Sequence, residues 1–439
     1  MKRAILSVFM VATAAILQAE PPMYSLKSCL ETGLEQNYSI RISRNDEQIA
    51  QNNVTAANAG KLPEIGFVAG YGGDLTSTRT HDRAGGTTDV NGVYDQSVNA
   101  GINADWTLFN GFSVQAEYDR LQELEREGAI QTRITIEDFV ASLTAEYYNY
   151  IQQRIRLNNY RYAMSLSKER LRIAQLRYST TRDYSRLDYL QARVYFNADS
   201  SQFMNQQELV HTSRIRLNQL MAVSDVDRYF LVQDSVIMID QNLQWDDLLG
   251  SMLENNASLL LADREQRLAE IDLKALRSRN YPYVKMNAGY GYTFNRYGSG
   301  TTFKRRNLDL SAGVTVGITI FDGNRKREQR NARIEIENAR LERENLELSL
   351  RADLSNFWQA YQNNIEVLKL ENDNVATARE NYEKALDRYM VGDLAGIEIR
   401  EAQKSLLDAE ERLLTAQYNT KLCEISLYQL CGEVLRYME

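Results

Sequence analysis

The chain has few of the residues that form metal clusters, disulfide scaffolds and tight turns. Its 439 residues include three cysteines, two histidines and four prolines. An odd number of cysteines argues against a disulfide framework, and so few Cys and His residues nearly exclude a zinc cluster. The sequence therefore predicts no metal and no cofactor. The residues concerned are Cys29, Cys423, Cys431, His81 and His211.

Excess positive charge is also absent. Lys and Arg number 51 against 59 Asp and Glu, a net charge of −8, which argues against a nucleic-acid partner. The Gly-rich run Gly70–Gly73 does not precede a helix start, so it is not a phosphate loop. There is no nucleophile elbow, and His211 stands in a heptad stretch. We therefore expect no enzymatic activity.

The N-terminus has the pattern of an export signal. Lys2 and Arg3 precede an apolar run over residues 4–17, and Ala19 offers a cleavage position. We interpret 1–19 as a signal peptide, because Pro21 and Pro22 disfavour a buried N-terminal helix. No later apolar run is long enough for a membrane-spanning helix, so entry into a membrane would require strands.

The sequence contains an internal duplication. Residues 26–72 align with 245–291 without a gap, and Pro63 falls opposite Pro282. Trp106–Gly111 matches Ile318–Gly323, and further pairs follow in the same order. An ordered series of matches indicates two copies of one unit. We place the repeats at 20–222 and 243–439, with a linker at 223–242.

Each repeat predicts two strands followed by two helices. Ten of the 23 glycines lie in 60–112 and seven in 289–323, whereas the flanking segments have almost none. Apolar and polar residues alternate in the Gly-rich segments, the period of a strand with two different faces. The expected strands are 64–72, 98–109, 283–294 and 308–321, with loops at 73–97 and 295–307. The expected helices are 113–178, 184–222, 325–390 and 397–432.

The strands have the length and patterning of bilayer-crossing strands. Roughly 9–11 residues of apolar-out, polar-in alternation cross a membrane, and aromatic residues lie near both strand ends. The alternative is a soluble sandwich with one wetted face. Four strands cannot close a barrel, so a membrane sheet would need eight strands from a dimer or twelve from a trimer. The polar side would then face a lumen, with Asn103, Asp105, Lys285, Asn287 and Asp309.

The helices are unusually long. Segments 113–178 and 325–390 contain one glycine, Gly128, and no proline, and 66 residues of helix extend about 99 Å. Residues 406–430 repeat at heptad spacing, which makes Cys423 a core residue rather than a reactive thiol. The equivalent positions of the first repeat include Asp199 and Gln206. A structural coiled-coil protein of the periplasm or cell surface, without channel activity, would explain the helices alone.

Two sets of motifs, in this order and spacing, resemble the outer membrane efflux protein family of TolC-like channel-tunnels. The first set is the strand exits, with Phe109, Gly111, Phe321 and Gly323. The second is the run from Arg388 to Gly392, followed by Ala402 and Gln403. The resemblance implies an α+β membrane protein in which a homotrimer builds a twelve-strand barrel, four transmembrane strands per chain. A helical periplasmic tunnel continues the barrel. It further implies outer membrane lipid, a periplasmic adaptor and an inner-membrane efflux pump as partners.

The resemblance also implies an entrance at the periplasmic helix turns. In the family, a tyrosine lies three residues before the turn glycine, and these two positions correspond to Tyr389 and Gly392 in this sequence. The family also has acidic residues six and nine positions after the turn glycine, which correspond to Glu398 and Glu401. Its acidic position in the first repeat corresponds to Asp188. The sequence departs from the family at Leu394, where an arginine is expected, and near Thr181, where the first turn glycine is replaced. The glutamates are equally explained as solvated carboxylates at a helix start.

Overall fold

The computed structural model of the chain describes residues 22–181, 186–391 and 393–438. The predicted signal peptide and Gly392 lie outside this part. The strands are β1 (Met23–Tyr24), β2 (Glu64–His81), β3 (Thr87–Asn110), β4 (Leu231–Val232), β5 (Tyr283–Arg296) and β6 (Lys304–Gly317). The helices are α1 (Leu26–Gln36), α2 (Tyr38–Asn53), α3 (Ser113–Thr181), α4 (Arg186–Leu220), α5 (Trp245–Asn255), α6 (Ala257–Ser278), α7 (Arg325–Met390) and α8 (Gly396–Leu430), followed by a 3₁₀ helix, Val434–Met438.

These elements form two compact units. The first unit draws on residues 1–41, 136–254 and 352–439, and the second on 42–135 and 255–351. The first is helical apart from the short parallel pair β1–β4, and the second contains the four long strands. None of the described helices has an apolar stretch of the length that a bilayer crossing requires.

The core of the helical unit is built around the middle of α3. Leu143, Tyr147 and Ile151 are almost fully buried and recur every four residues, the spacing of one helix face. They belong to one hydrophobic cluster with residues of α1, α4 and α8. The segment 223–242, interpreted from the sequence as a linker, adds Phe230 and Val232 to this cluster. It is therefore packed against the helices.

Helix α1 begins at a reciprocal cap. The backbone N–H of Ser28 donates to Ser25 Oγ at 3.2 Å, and that of Ser25 donates to Ser28 Oγ at 2.9 Å. This satisfies two amide groups that a helix start leaves unpaired. Near the end of α1, a Cβ on Gly33 would lie 2.2 Å from Phe139 Cζ, so a larger residue would displace the buried Phe139 ring of α3.

The strand unit is an antiparallel sheet of order β2-β3-β5-β6. Directly paired residues lie on the same side of an antiparallel sheet. Phe67, Ile102, Tyr290 and Leu310 form one row across all four strands, and Gly66, Asn103, Gly289 and Ser311 form the next. Apolar and polar rows thus alternate, and the sheet has one apolar and one polar face.

The first hairpin is longer than the sequence predicted. β2 and β3 pair from Glu64–Asp105 to His81–Thr87, so most of the segment 73–97 is strand and only 82–86 connects the two. Thr76, Thr78 and Thr80 recur at every second position of this segment, and β-branched residues favour strands. Its glycine content had suggested a loop instead.

The last strand has the expected 14 residues but lies four residues earlier, at Lys304–Gly317 rather than 308–321. β6 ends at Gly317, and residues 318–321 have no regular secondary structure. Gly317 pairs with Tyr283, the first residue of β5. Pro282 precedes Tyr283 and has no N–H to continue the ladder, which explains why β6 loses its partner within the chain at this point.

A bulge near the end of β3 changes which residues share the apolar face. Trp106 pairs with Met286, but Phe109 rather than Leu108 pairs with Val284. The extra residue shifts the alternation by one, as a β-bulge does. Phe109 therefore joins the apolar face, whereas simple alternation from Val98 would put Leu108 there.

Candidate functional site

The predicted entrance residues lie where the paired helices turn, within the helical unit. Asp188 is in the first turn of α4, Tyr389 is the penultimate residue of α7, and Glu398 is in the first turn of α8. The turn after α7 is closed by the backbone N–H of Asp393, which donates to the carbonyl of Arg388 at 2.9 Å. Gly392 itself lies outside the described residues.

Asp188 and Tyr389 line the same small cavity, which has a volume of about 50 Å³. Arg170, Arg177 and Tyr195 also line it. The Arg177 guanidinium lies 5.7 Å from the centre of the Tyr389 ring, in the range of a cation–π contact. The structure thus brings the predicted acidic residue of the first repeat next to the predicted tyrosine of the second.

Glu398 and Glu401 lie apart from this cavity. Both are exposed and lie three positions apart on α8, so they share one side of the helix. Among the described residues, neither is part of the cavity lining around Asp188. Their position fits carboxylates at a helix start as well as it fits an entrance.

Leu394 contributes to packing in the position where the family has an arginine. It is partly buried against a cluster that includes Ile399, Ala402 and Leu406, and Tyr389 packs against the same cluster. The turn of the second repeat is therefore held by apolar contacts at this position.

A buried ion pair next to the turn was not predicted from the sequence. Asp199, only 2% exposed, receives two hydrogen bonds from Arg400, Nη1 to Oδ2 at 2.7 Å and Nη2 to Oδ1 at 2.8 Å. Ser167 also donates a short hydrogen bond to Oδ2. The pair therefore connects α4 with α8 and α3 through one carboxylate.

A second arginine extends this network. Arg170 Nη1 donates to Gln403 Oε1 at 2.9 Å, and Gln403 is 2% exposed. Burial lowers the pKa of Arg170, and the nearby charge of Arg400 lowers it further. The Tyr195 ring lies within 5.8 Å of the Arg170 guanidinium and within 5.0 Å of that of Arg400. Cation–π contacts with one ring partly offset the repulsion between the two arginines.

The polar strand residues predicted to face a lumen share one face of the sheet. Asp105 pairs with Asn287, and Lys285 pairs with Thr107 and Thr315. The same residues line a cavity of about 880 Å³ near the strand ends that lead to the helices. Asn103 and Asp309 lie on this face further along the strands.

Side chains on the polar face lie close together. A Cβ added to Gly70 would lie 2.7 Å from Asn99 Oδ1, and one added to Gly313 would lie 3.0 Å from Asn287 Oδ1. Side chains converge on the inside of a curved sheet, and small residues relieve the crowding there. The apolar face is open by comparison, and Leu310 on that face is 81% exposed.

The two strand-exit motifs differ in backbone conformation. Gly111 has a φ of 57°, and a Cβ there would lie 2.0 Å from the Ser278 carbonyl oxygen, so this exit requires glycine. At the second exit, a Cβ on Gly323 would meet only Phe321 Cζ, at 3.8 Å. Phe109 packs edge-on against Phe112 at 5.2 Å, whereas Phe321 is 86% exposed.

The cysteines lie inside the helical unit. Burial raises the pKa of Cys29 and of Cys431 to about 12 in each case, so both thiols stay protonated near neutral pH. Cys423 is half-buried, and burial raises its pKa as well. In the part of the chain that the structure describes, no group of His, Cys, Asp and Glu side chains is arranged to hold a metal.

Comparison with solved structures establishes the fold class. The outer membrane protein VceC from Vibrio cholerae superposes with a TM-score of 0.71 at 15% identity, over 93% of this chain and 96% of VceC. The CmeC outer membrane channel of Campylobacter jejuni superposes with a TM-score of 0.73 at 14% identity, over 93% of this chain and 85% of CmeC. A membrane protein from Pseudomonas aeruginosa superposes with a TM-score of 0.75 at 15% identity, over 94% of this chain and 92% of that protein. The predicted TolC-like α+β fold is confirmed.

The sequence itself identifies the family. The sequence model of the outer membrane efflux protein family matches residues 30–223 and 248–433, one match in each repeat. The chain belongs to the outer membrane efflux protein family, and its internal duplication is confirmed. It is therefore an efflux channel protein located in the outer membrane. A comparison with curated proteins finds no significant match.

Proposed function

We propose that three copies of this chain form a passive channel-tunnel that carries substrates across the periplasm and the outer membrane. The observation that carries this proposal is the four-stranded sheet with two different faces and free edges at β2 and β6. In lipid, each unpaired backbone group at such an edge costs several kcal/mol. Pairing of β6 with β2 of the next copy removes both edges, and a trimer gives twelve strands.

The polar face lines the lumen of this barrel. Its crowding and its glycines fit the inside of a closed sheet, and the open apolar face fits lipid. Asn103, Asp105, Lys285, Asn287 and Asp309 then contact the solvent-filled path. Because these side chains are polar or charged, hydrated solutes pass without leaving water.

An inner-membrane pump delivers the substrate through a periplasmic adaptor. A passive duct in the outer membrane has no energy source of its own, so the work of export is done elsewhere. Family membership supports this arrangement, and drugs, metals and proteins are the substrate classes that it implies. The pump and adaptor select among them.

The turns between the long helices form the entrance, and their carboxylates attract cations. Three chains bring three copies each of Asp188, Glu398 and Glu401 to one end of the tunnel. Rings of carboxylates favour cation passage through a pore. Tyr389 lies at the same turn with the Arg177 guanidinium 5.7 Å from its ring centre, and Gly392 belongs to the proposed entrance by its place in the sequence.

Single-channel recording in planar bilayers under a salt gradient tests this proposal. The wild-type protein should give discrete conductance steps, a cation-selective reversal potential and block by multivalent cations. Glu398→Gln combined with Glu401→Gln should weaken selectivity and block without loss of assembly, because exposed carboxylates contribute little to stability. Glu335→Gln with Glu342→Gln is the matched control, since both of these α7 carboxylates are exposed and far from the turn.

The outcomes separate the channel from its entrance. If the wild-type protein gives no conductance, the channel proposal fails. If it conducts, but the Glu398/Glu401 variant keeps the wild-type reversal potential and block, the glutamates lie outside the pore mouth. If the control variant loses selectivity to the same degree, the effect comes from overall charge.

A further inference from the structure

Three cations cluster at the hairpin that joins β5 to β6. Arg296 is the last residue of β5, Lys304 is the first of β6, and Arg306 follows two positions later. All three side chains are exposed. Among the described residues, no carboxylate forms an ion pair with any of them.

The register places this cluster on the apolar face. Arg306 stands in the row of Tyr71, Val98 and Phe294, directly beyond the row that contains Tyr292 and Leu308. Arg296 and Lys304 occupy the next alternate row with Gly73 and Gln96. The three cations therefore lie at one end of the apolar band, beyond its aromatic residues.

The positive charges within this cluster repel one another. Arg296 and Lys304 are direct register partners, and like charges in direct opposition destabilise a sheet. Arg306 is the diagonal neighbour of Arg296. Asp74 and Asp95 lie nearby along the strands, but the alternation puts both on the opposite, polar face. The Phe303 ring lies 5.2 Å from the Arg296 guanidinium and 5.3 Å from Lys304 Nζ, which holds the two charges in place.

We propose that Arg296, Lys304 and Arg306 bind the phosphate groups of a phosphorylated glycolipid in the outer leaflet of the outer membrane. The β5–β6 hairpin is at the strand ends remote from the helices, and the family's periplasmic helices place it on the outer side. A guanidinium binds a phosphate through two parallel hydrogen bonds, and an ammonium adds a point charge. Phosphate at this depth offsets the repulsion within the cluster. The inference rests on the outer membrane location and is independent of channel activity.

Binding of diphosphorylated lipid A to the full-length mature protein in detergent tests this site. The test variant combines Arg296→Gln, Lys304→Gln and Arg306→Gln. The matched control is Arg305→Gln, which removes a charge at the same depth but from the polar face of the same strand. The triple variant should bind the lipid at least about tenfold more weakly, while Arg305→Gln changes affinity by less than about twofold. Wild-type binding should weaken with added salt.

Dephosphorylated lipid A and inorganic phosphate identify the ligand. The wild-type protein should bind both at least about tenfold more weakly than the phosphorylated lipid. The proposal is overturned if the triple variant binds like the wild type, if Arg305→Gln weakens binding equally, or if either comparison ligand binds as tightly. Gel filtration checks assembly, and Lys304→Gln and Arg306→Gln are tested singly if the triple variant does not assemble.

Discussion

At the scale of single residues, polar side chains occupy heptad positions between α3 and α4. Asp199, Gln206 and Ser213 are buried, recur every seven residues, and each makes a hydrogen bond to α3. Apolar residues are usual at such positions. Buried polar groups of this kind are costly unless every partner is present. The first repeat therefore depends on specific pairs where the second repeat has Ala409, Ala416 and Cys423.

Substituting Asp199 should destabilise the helical unit. Asp199→Asn leaves the Arg400 guanidinium, of which 17% of the side chain is exposed, without a counter-charge. Breaking a buried ion pair on one side costs about 3–5 kcal/mol. Thermal unfolding in detergent should show a clear drop in Tm, whereas Asp188→Asn, at an exposed helix start, should change Tm little. Equal shifts in the two variants would mean that the Asp199 pair contributes nothing specific.

Gly111 and Gly60 offer a second matched comparison. Both have a positive φ, 57° and 77°, but a Cβ at Gly60 has no heavy atom within 4 Å. Gly60→Ala should cost about 1–2 kcal/mol for the left-handed conformation. Gly111→Ala should cost about 1–3 kcal/mol more because the Cβ overlaps the Ser278 carbonyl. If thermal unfolding shows similar losses for both, the strand exit tolerates a side chain and the glycine motif has another cause.

Sequence reasoning could locate Asp199 but not its partner. Its place at a heptad position follows from the duplication, yet Arg400 is 201 residues away, and no local spacing connects the two. Asp188 and Tyr389 were predicted as site residues from motif positions. That they line one cavity could be seen only in the structure, because they belong to different repeats. That they belong to the entrance stays a prediction, as it does for Glu398 and Glu401.

At the scale of elements, periodicity predicted the existence of the strands better than their ends. Alternation over 283–294 predicted β5 closely, because both faces are regular there. The end of β6 depends on Pro282, which precedes its partner strand β5, and the bulge at Leu108 depends on pairing with β5. Strand ends set by a partner strand cannot be obtained from one segment of sequence. The long helices were easier, since the near absence of glycine and proline is itself the signal.

Adjacent residues of β6 should respond differently to a charge. Leu310 is 81% exposed on the apolar face, and Ser311 lies on the polar face opposite Gly289. Leu310→Arg should cost about 2–4 kcal/mol if the apolar face contacts lipid, and Ser311→Arg should cost much less. The amount of assembled protein extracted from outer membranes measures the difference. Equal loss in both variants would contradict the assignment of the two faces.

At the scale of the whole molecule, the duplication gives the chain two hairpins that form one open sheet. Each repeat supplies one hairpin, and the two hairpins join through β3 and β5 to leave β2 and β6 as edges. The sequence alone indicated that copies must associate, because four strands cannot enclose a lumen. It left the number of copies open, since strand pairing at β2 and β6 is the same in any closed ring. The number of three copies comes from the family resemblance.

Native mass spectrometry of the full-length mature protein, extracted from outer membranes in detergent, tests the central claim most directly. A sheet with two free edges must pair with further copies to remain in lipid. The account predicts a single species with three times the mass of the mature chain, stable as detergent is removed in the gas phase. A folded monomer would contradict the closed barrel itself, and a dimer would contradict the twelve-strand arrangement.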